Sequence, residues 1–399
     1  MNEKTINSEA VKWILEWTKS TVERFGPRLA GSDHCHQASE KIRDDMKTHC
    51  DQVDSDDFDI YPGSIFAIPR VCVYSFFVSA ILMFISPQSG WLVYTVGFLY
   101  ILLQFIFLSD LFDPLFPKKR GRNIIGSIEP AETAKRQIIL TAHYDSAWVC
   151  NYLERLPGLY KATMILTMLM YALFGLLLTL KLFISGTWLS ISLAICMGIG
   201  FPVIIPMLSY YRTKGTPGAG DNLASVGLIL AIGRLKKADR LKHTRLILLG
   251  LDAEEIGMRG ARRYIGQNLG MLRSLDTEVI NIDSLYRLDA LTLLSSDRNG
   301  LTSLSKGLSD RLAKVGNELG CSFQRKPFPF GGGGTDAGEF ALAGLETTSI
   351  IGVPWSFSKA NNFYHTTRDL VDNIEPRAIE AVGNTVIDYI QRKDQELVE

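Results

Sequence analysis

The sequence carries no excess charge of either sign, because 42 lysine and arginine residues are matched by 42 aspartate and glutamate residues. It also lacks a basic stripe interleaved with aromatic residues, so nothing in it supports a nucleic-acid partner. None of the six cysteines forms a CxxC pair, which argues against a disulfide framework and against a thiolate zinc site. Residues 1–30 lack the apolar core of a secretory signal, so we expect an unprocessed, cytoplasmic N-terminus.

Long apolar runs, by contrast, are present and are confined to two blocks of the chain. The uncharged runs are at 91–108, 162–180, 188–211 and, shorter, 71–86. A helix needs about 20 apolar residues to cross a bilayer core, with roughly 17 to 25 tolerated. Three runs meet this length and the fourth nearly does, so we predict four transmembrane helices arranged as two hairpins, 66–110 and 161–211. The alternative is that these runs are buried helices of a large soluble core.

The charges around the hairpins predict which side of the membrane the rest of the chain occupies. The predicted turns, 87–90 and 184–187, contain no lysine or arginine. Basic residues stand at the other ends of the hairpins: Lys118, Lys119, Arg120, Arg122, Arg155, Lys161, Arg212 and Lys214. Because positive charge is enriched on the cytoplasmic side of membrane proteins, we expect everything except the turns to be cytoplasmic.

The remaining segments, 1–65, 111–160 and 212–399, predict a single α/β domain. Its expected elements are amphipathic helices at 8–25 and 36–49, a polar edge strand at 52–60, apolar strands at 137–142, 246–251, 279–282 and 347–353, and helices at 223–235 and 301–319. Short buried strands that alternate with helices are typical of a mixed, mostly parallel sheet flanked by helices. We expect a solvated helix face for Arg259, Arg262 and Arg263, and a loop at 331–334.

Polar side chains follow most of the predicted buried strands. His143 and Asp145 end the first, Glu254 and Glu255 follow the second, and Asp283 ends the third. In open α/β sheets, ligands bind beyond the carboxyl ends of the strands. Two further groups are expected there: Asp221, placed like a helix N-cap, and the loop segment Tyr364-His365.

Histidine and carboxylate side chains without thiolates suit a hydrolytic metal site. Two ions about 3.5–4 Å apart, bridged by one carboxylate, can activate water and hold a carbonyl oxygen. The adjacent Glu254 and Glu255 fit this chemistry, because one can bind metal while the other takes a proton from the water.

The order of these motifs resembles a known family. The motifs are His143-x-Asp145, Gly218-Ala219-Gly220-Asp221-Asn222, Glu254-Glu255-x-Gly257-x-x-Gly260, Asn281-x-Asp283 and Tyr364-His365-Thr366, with Arg28-Leu29-Ala30-Gly31-Ser32 near the start. They look like the two-zinc exopeptidases that include bacterial leucyl aminopeptidases and glutamate carboxypeptidase. The resemblance covers nearly all of the sequence outside the hairpins.

The resemblance implies two zinc ions held by five ligands: His143, Asp221, Glu255, Asp283 and His365. Asp221 would bridge the ions. Glu255 and His365 would complete one ion, and His143 and Asp283 the other.

It also implies a role for three further residues. Glu254 would be the general base and acid, Asp145 would orient the His143 imidazole, and Tyr364 would hydrogen-bond the tetrahedral intermediate. The expected activity is that of an exopeptidase, most readily an aminopeptidase, with a peptide substrate and membrane lipid as its partners. The substrate's identity and the oligomeric state stay open.

The sequence departs from the family pattern in two places. The whole second hairpin lies between His143 and Asp221, so the metal site requires residues near 158 and 213 to return close together. Thr335-Asp336-Ala337 stands where many members have Ser-Asp-His. Two alternatives therefore stay open: a catalytically dead binding protein, and a glutaminyl cyclase-like transferase that uses one ion.

Overall fold

A computed structural model describes the protein over residues 5–354 and 362–398. The helices in these ranges are α1 Ser8–Phe25, α2 Asp33–Lys47, α3 Gly63–Phe66, α4 Ile68–Leu82, α5 Pro87–Ile101, α6 Asn151–Arg155, α7 Pro157–Phe183, α8 Thr187–Ile204, α9 Ala224–Ala238, α10 Arg259–Leu272, α11 Lys306–Glu318, α12 Ala337–Leu342 and α13 Pro376–Gln395. The strands are β1 Gln52–Ile60, β2 Lys119–Ile128, β3 Arg136–His143, β4 Trp148–Cys150, β5 Tyr211–Gly215, β6 Thr244–Leu251, β7 Asp276–Asp283, β8 Thr292–Asp297, β9 Thr302–Ser303, β10 Gln324–Pro327 and β11 Glu346–Ile351.

The main sheet has the strand order β1-β2-β6-β3-β7-β11-β8-β10, and β9 pairs with β8. Its four central strands, β6, β3, β7 and β11, run parallel to one another. The strands β1 and β2 add antiparallel pairs at one edge, and β8 pairs antiparallel with β11 at the other. The prediction of a mixed, mostly parallel sheet is confirmed, and β1 is the predicted edge strand.

Both faces of this sheet are covered by helices, because alternate residues of its central strands are apolar on either side. On β3, Ile138 and Leu140 pack in one cluster with residues of α1, α9 and α13. Ile139 lies in a second cluster with residues of α10 and with Phe340 of α12. Because each Å² of apolar surface removed from water contributes about 25 cal/mol, both clusters stabilise the packing of the helices on the sheet.

The apolar blocks form two helical hairpins, α4 with α5 and α7 with α8. Within residues 5–354 and 362–398, three helical stretches are long and apolar enough to cross a membrane: Pro87–Ile106, Pro157–Phe183 and Thr187–Ser209. The fourth run forms α4, which has only 15 residues. A prediction of four spans therefore goes further than the structure, in which three helices reach the required length.

The first predicted turn was placed too late in the sequence. Residues 87–90 are the first turn of α5, in which Pro87 occupies an early position and the Ser86 hydroxyl accepts a bond from the Ser89 amide. Proline is common at this position because its missing N–H has no intrahelical partner there. The chain reverses at residues 83–86 instead. The second turn lies at residues 184–186, close to its predicted place.

The ends of the second hairpin return to the same place. Strand β4, just before the hairpin, pairs antiparallel with β5, just after it, and Cys150 faces Tyr211 in this ribbon. The hairpin therefore interrupts the α/β domain without separating the segments on either side of it. This meets the requirement that the sequence set for a metal site built from both sides of the insertion.

Candidate metal centre

The candidate site lies at the carboxyl end of the parallel strands. His143 is the last residue of β3, Asp283 is the last of β7, and Glu254 and Glu255 follow the end of β6. Because these three strands are parallel neighbours, their ends meet at one edge of the sheet. The structure therefore brings together groups that are far apart in the sequence.

Asp221 enters the site from a distorted helical turn, Ala219–Leu223, which precedes α9. The prediction that Asp221 is an N-cap was wrong, because its φ and ψ of −117° and 83° lie inside this turn and Leu223 precedes the first residue of α9. The turn is fixed from outside instead. The Asp369 carboxylate accepts bonds from the Gly220 and Asp221 amides, at 2.7 and 3.3 Å.

Asp221 stands between the two histidines. Its Oδ1 is 3.2 Å from Nε2 of His143, and its Oδ2 is 3.3 Å from Nε2 of His365. The Glu255 Oε2 is also 3.3 Å from the His365 Nε2, and the Asp283 Oδ1 is 3.7 Å from the His143 Nε2. Two ligand atoms about 2.1 Å from one tetrahedral zinc ion lie about 3.4 Å apart, so these separations match shared cations.

Several polar atoms of this group lack hydrogen-bond partners. Among the buried atoms without a hydrogen bond in the described residues are Nε2 of His143, Nε2 of His365, Oδ2 of Asp221 and Oε1 of Glu255. Buried polar groups almost always have a partner, so a cluster of orphaned atoms indicates a missing ligand. Nitrogen and carboxylate oxygen donors fit zinc, and His143, Asp221 and Glu255 alone place one donor atom each within 4.8 Å of the others.

The carboxylates of the site are deeply buried, which opposes their ionisation. Burial raises the pKa of Glu255 to about 7 and raises that of Glu254 well above its usual range. A divalent cation would reverse this effect, because it stabilises the ionised carboxylates beside it. The electrostatics and the orphaned atoms therefore support the same conclusion, that the side chains fit a metal centre.

Asp145 supports both sides of the site. Its backbone carbonyl lies 3.1 Å from Nδ1 of His143, and one carboxylate oxygen lies 3.4 Å from the same atom. With Nδ1 as a donor to this carbonyl, Nε2 keeps a lone pair for a metal. The two carboxylate oxygens accept bonds from the Glu254 and Glu255 amides, each at 3.2 Å. Asp145 is therefore placed to orient His143, chiefly through its carbonyl, and it also holds the glutamate turn.

Glu254 and Tyr364, the other predicted catalytic residues, also lie at the site. The Glu254 carboxylate is buried, with Oε2 4.0 Å from Nε2 of His143. The Tyr364 ring stacks on the His365 imidazole with 3.9 Å between ring centroids. Burial, followed by the nearby carboxylates of Asp221 and Glu255, raises the pKa of the Tyr364 hydroxyl well above its usual value.

Three non-glycine residues of the site adopt left-handed backbone conformations. Ala253, Ser284 and His365 have φ values of 63°, 51° and 54°. Such conformations cost of order 1–3 kcal/mol each and concentrate at functional sites, where the surrounding structure holds them in place. Each of these residues adjoins or is a candidate ligand or base.

Sequence analysis gave no role to three residues that support the site. Arg28 is fully buried and donates to the carbonyls of Tyr144 and Gly218, on either side of the second hairpin. Asp369 fixes the Asp221 turn, as described above. Asp336 is fully buried, and both of its carboxylate oxygens lack a hydrogen bond within the described residues. The motifs containing Arg28 and Asp336 were noted in the sequence, but neither motif reveals these contacts.

The loop that carries His365 is attached to the base of the second hairpin. The Cys150 amide donates to the His365 carbonyl at 2.9 Å. The Glu154 carboxylate accepts from both the amide and the hydroxyl of Thr367, at 2.8 and 2.6 Å. The Asn362 side chain donates to the Leu153 carbonyl at 3.0 Å. A candidate metal ligand is thus held in place by residues that lead into a membrane-type hairpin.

The family model described as Peptidase family M28 matches residues 205–390 of this sequence. No curated protein matches the chain by sequence. The matched residues include Asp221, Glu254, Glu255, Asp283 and His365, and they begin after His143.

Solved structures show the same fold over nearly the whole chain. A leucine aminopeptidase precursor from Bacteroides thetaiotaomicron is 16% identical with a TM-score of 0.57, and the match covers 96% of each chain. A Zn-dependent exopeptidase from Parabacteroides distasonis is 14% identical with a TM-score of 0.58, over 97% of this chain and 98% of that one. A glutaminyl cyclase from Porphyromonas gingivalis is 16% identical with a TM-score of 0.59, over 96% and 98%. At these identities the likeness establishes the fold alone.

Proposed function

Over residues 205–390 this chain belongs to peptidase family M28, and from that premise we propose that it is a zinc-dependent exopeptidase, specifically an aminopeptidase, anchored in a membrane by its hairpins. The observation that carries the proposal is the convergence of five candidate ligands, Asp221 and four others, with the buried Glu254 beside them. A dead binding protein would have no need to keep so many buried, mutually repelling carboxylates together.

The residues divide into two ligand sets in this proposal. His143 and Asp283 would hold one ion, Glu255 and His365 the other, and Asp221 would bridge them, because its two oxygens face different histidines. Zinc held by these residues would supply a water molecule of lowered pKa and would polarise the scissile carbonyl.

Glu254 moves the proton. Its carboxylate accepts a proton from the attacking water and returns it to the amine that leaves when the peptide bond breaks. Asp145 would hold Glu254 in place by accepting its amide hydrogen bond. Tyr364, whose ring stacks on His365, would donate to the oxygen of the tetrahedral intermediate.

The test is Glu254→Gln in the detergent-purified chain, with zinc content and hydrolysis measured on the same sample. We expect two zinc ions per chain and a fall in kcat of at least about a hundredfold, the lower range for loss of a general base. Glu255→Gln serves as the matched control, because it removes a ligand and should lower the zinc content as well. A fully active Glu254→Gln protein would contradict the assigned role.

Glutaminyl cyclisation is the second candidate function. It is favoured by one observation: the donor atoms of His143, Asp221 and Glu255 lie within 4.8 Å of one another and could hold a single ion by themselves. One ion held by three ligands would suffice to activate an amide for attack by the peptide's own N-terminal amine, with release of ammonia. Mass spectrometry separates the two functions, because the peptidase releases free amino acids and the cyclase yields a pyroglutamyl peptide.

The membrane anchoring is proposed from the three apolar helices and the basic flanks described above. The side chains on the outer surface of these helices are apolar and exposed, as a lipid-facing surface requires. Extraction of native membranes with carbonate should leave the chain in the pellet, and reporter fusions at residues 83–86 and 184–186 should locate both turns on the side opposite the metal centre. Release of the chain into the supernatant would contradict the anchoring.

A further inference from the structure

Residues at the bases of both hairpins lie beside the candidate site, where Phe66 packs in a cluster with Ala253, the residue before Glu254. Phe66 at the end of α3, just before the first hairpin, stacks on Trp148 of β4 with 3.9 Å between ring centroids. Tyr211, which begins β5 after the second hairpin, packs edge-on against both rings. Tyr364 contacts the apolar cluster of the α/β domain and also that of the hairpins. An aromatic group of this kind is typical of the level at which a protein meets the bilayer surface.

The opposite wall is tied to the end of the first hairpin. Asn299 donates its side-chain amide to the carbonyls of Phe105 and Ile106, at 2.8 and 3.0 Å. The same residue exchanges two bonds with Gly333, in the glycine-rich loop that leads to Asp336. The loop that borders the site is therefore fastened to the last turn of a candidate membrane span.

This glycine-rich loop, residues 328–334, also reaches the second hairpin. Gly331 lies against α7, where a Cβ atom added to it would stand 3.6 Å from Cε of Met168. The 27 residues of α7 extend over about 40 Å, roughly 10 Å more than the hydrocarbon core of a bilayer. With the surplus at its polar start, near Lys161, Met168 would lie inside the hydrocarbon edge of a bilayer. Phe330, next to Gly331 in the chain, is 65% exposed, so a large apolar side chain of this loop is free to contact lipid.

We propose that the substrates are peptides anchored in the same bilayer, whose free N-terminus reaches the metal centre across the rim formed by Phe330 and the hairpin bases. This inference rests on the proposed peptidase function and membrane anchoring. A bilayer-anchored peptide keeps its apolar portion in lipid while a short extended segment reaches the site, at about 3.3 Å per residue. Confinement to the membrane also raises its effective concentration at the rim.

The experiment uses the full chain reconstituted in phosphatidylcholine vesicles and two peptides with the same N-terminal sequence. One ends in a free carboxylate and the other in a C-terminal palmitoyl-lysine. At equal bulk concentration we expect kcat/KM to be at least about tenfold higher for the acylated peptide. Its rate should fall in proportion when inert lipid dilutes it within the bilayer, whereas the rate for the free peptide should not change.

Phe330→Asp tests the rim itself, with Leu319→Asp as the matched control. Leu319 is 49% exposed, and the helix it follows, α11, packs on α13, β8 and β11 away from the hairpins. We expect Phe330→Asp to bring the ratio of acylated to free kcat/KM close to one, and Leu319→Asp to keep it at the wild-type value.

The outcomes separate this inference from the function on which it rests. If the wild-type chain hydrolyses both peptides equally, with no effect of surface dilution, the substrate class is wrong and the peptidase function stands. If neither peptide is hydrolysed by zinc-loaded protein, both proposals are overturned.

Discussion

Glu154 offers a direct test of the link between the second hairpin and the metal centre. Both of its carboxylate oxygens bind Thr367, two residues beyond the candidate ligand His365. Hydrogen bonds to charged groups contribute about 1.5–3 kcal/mol each, and water would recover part of this loss in a partly buried site. The change Glu154→Ala should therefore loosen the His365 loop by about 1.4–2.7 kcal/mol, which corresponds to the 10- to 100-fold loss of metal affinity typical when a residue supporting a ligand is removed.

The assay is competition for zinc between the purified chain and a chelator of known affinity. The wild type should release its ions in two steps, and Glu154→Ala should weaken the step that belongs to Glu255 and His365 while the other step changes little. Glu132→Ala is the control, because it also removes a glutamate that has partners of its own. The Glu132 side chain is 53% exposed and pairs with Lys242 and His243, and all three residues are far from the His365 loop in the sequence. Equal zinc affinity in wild type and Glu154→Ala would refute the reasoning that the hairpin base positions His365.

The remaining predictions concern stability. Arg259→Met should lower the free energy of unfolding by about 3–5 kcal/mol, because it leaves the Asp113 carboxylate buried without its ion pair. The melting temperature in detergent measures this loss, and the control Arg263→Met, on the same helix, should change the melting temperature little. Asp51→Asn should cost about 1 kcal/mol at pH 7, because hydrogen bonds from Arg240 hold the pKa of Asp51 below its usual value. That stability is present above the unfolded pKa of about 3.9 and is lost as the pH falls through the lower folded pKa, so the two proteins should become equally stable in acid. An unchanged difference between them at pH 2 would contradict this assignment.

The central strands could be predicted from the sequence because each contains a short run rich in β-branched and other apolar residues. Strands β3, β6, β7 and β11 agree with the predicted segments to within a few residues at each end. Strand β2 was missed because its first residues, Lys119 to Arg122, pair with the polar edge strand and carry charge. Strands β8 and β10 were missed on either side of the predicted helix 301–319. Strand β10 has only four residues, all of them exposed, so it lacks an apolar pattern.

The candidate ligands could also be identified, because motifs in a fixed order identify residue types and the parallel sheet brings their strand ends together. Residues that hold the ligands in place from distant parts of the chain could not be identified in this way. Asp369 lies 148 residues from the Asp221 amide that it binds, and no local pattern reveals such a contact.

The burial of Arg259 could not be predicted from the sequence either. Arginines at 259, 262 and 263 predict a solvated helix face, and this was wrong for two of them. Arg259 is buried against Asp113, and Arg262 is paired with the buried Glu339. Both partners come from elements distant in the sequence, so the spacing on the helix alone could not indicate burial.

The most direct test of the central claim is a zinc-edge anomalous diffraction measurement on crystals of the detergent-purified chain. The account predicts two anomalous peaks about 3.5–4 Å apart, with the Asp221 carboxylate between them, His143 and Asp283 at one and Glu255 and His365 at the other. Anomalous signal absent from this edge of the sheet, in crystals grown with zinc, would contradict the assignment of a two-zinc hydrolase.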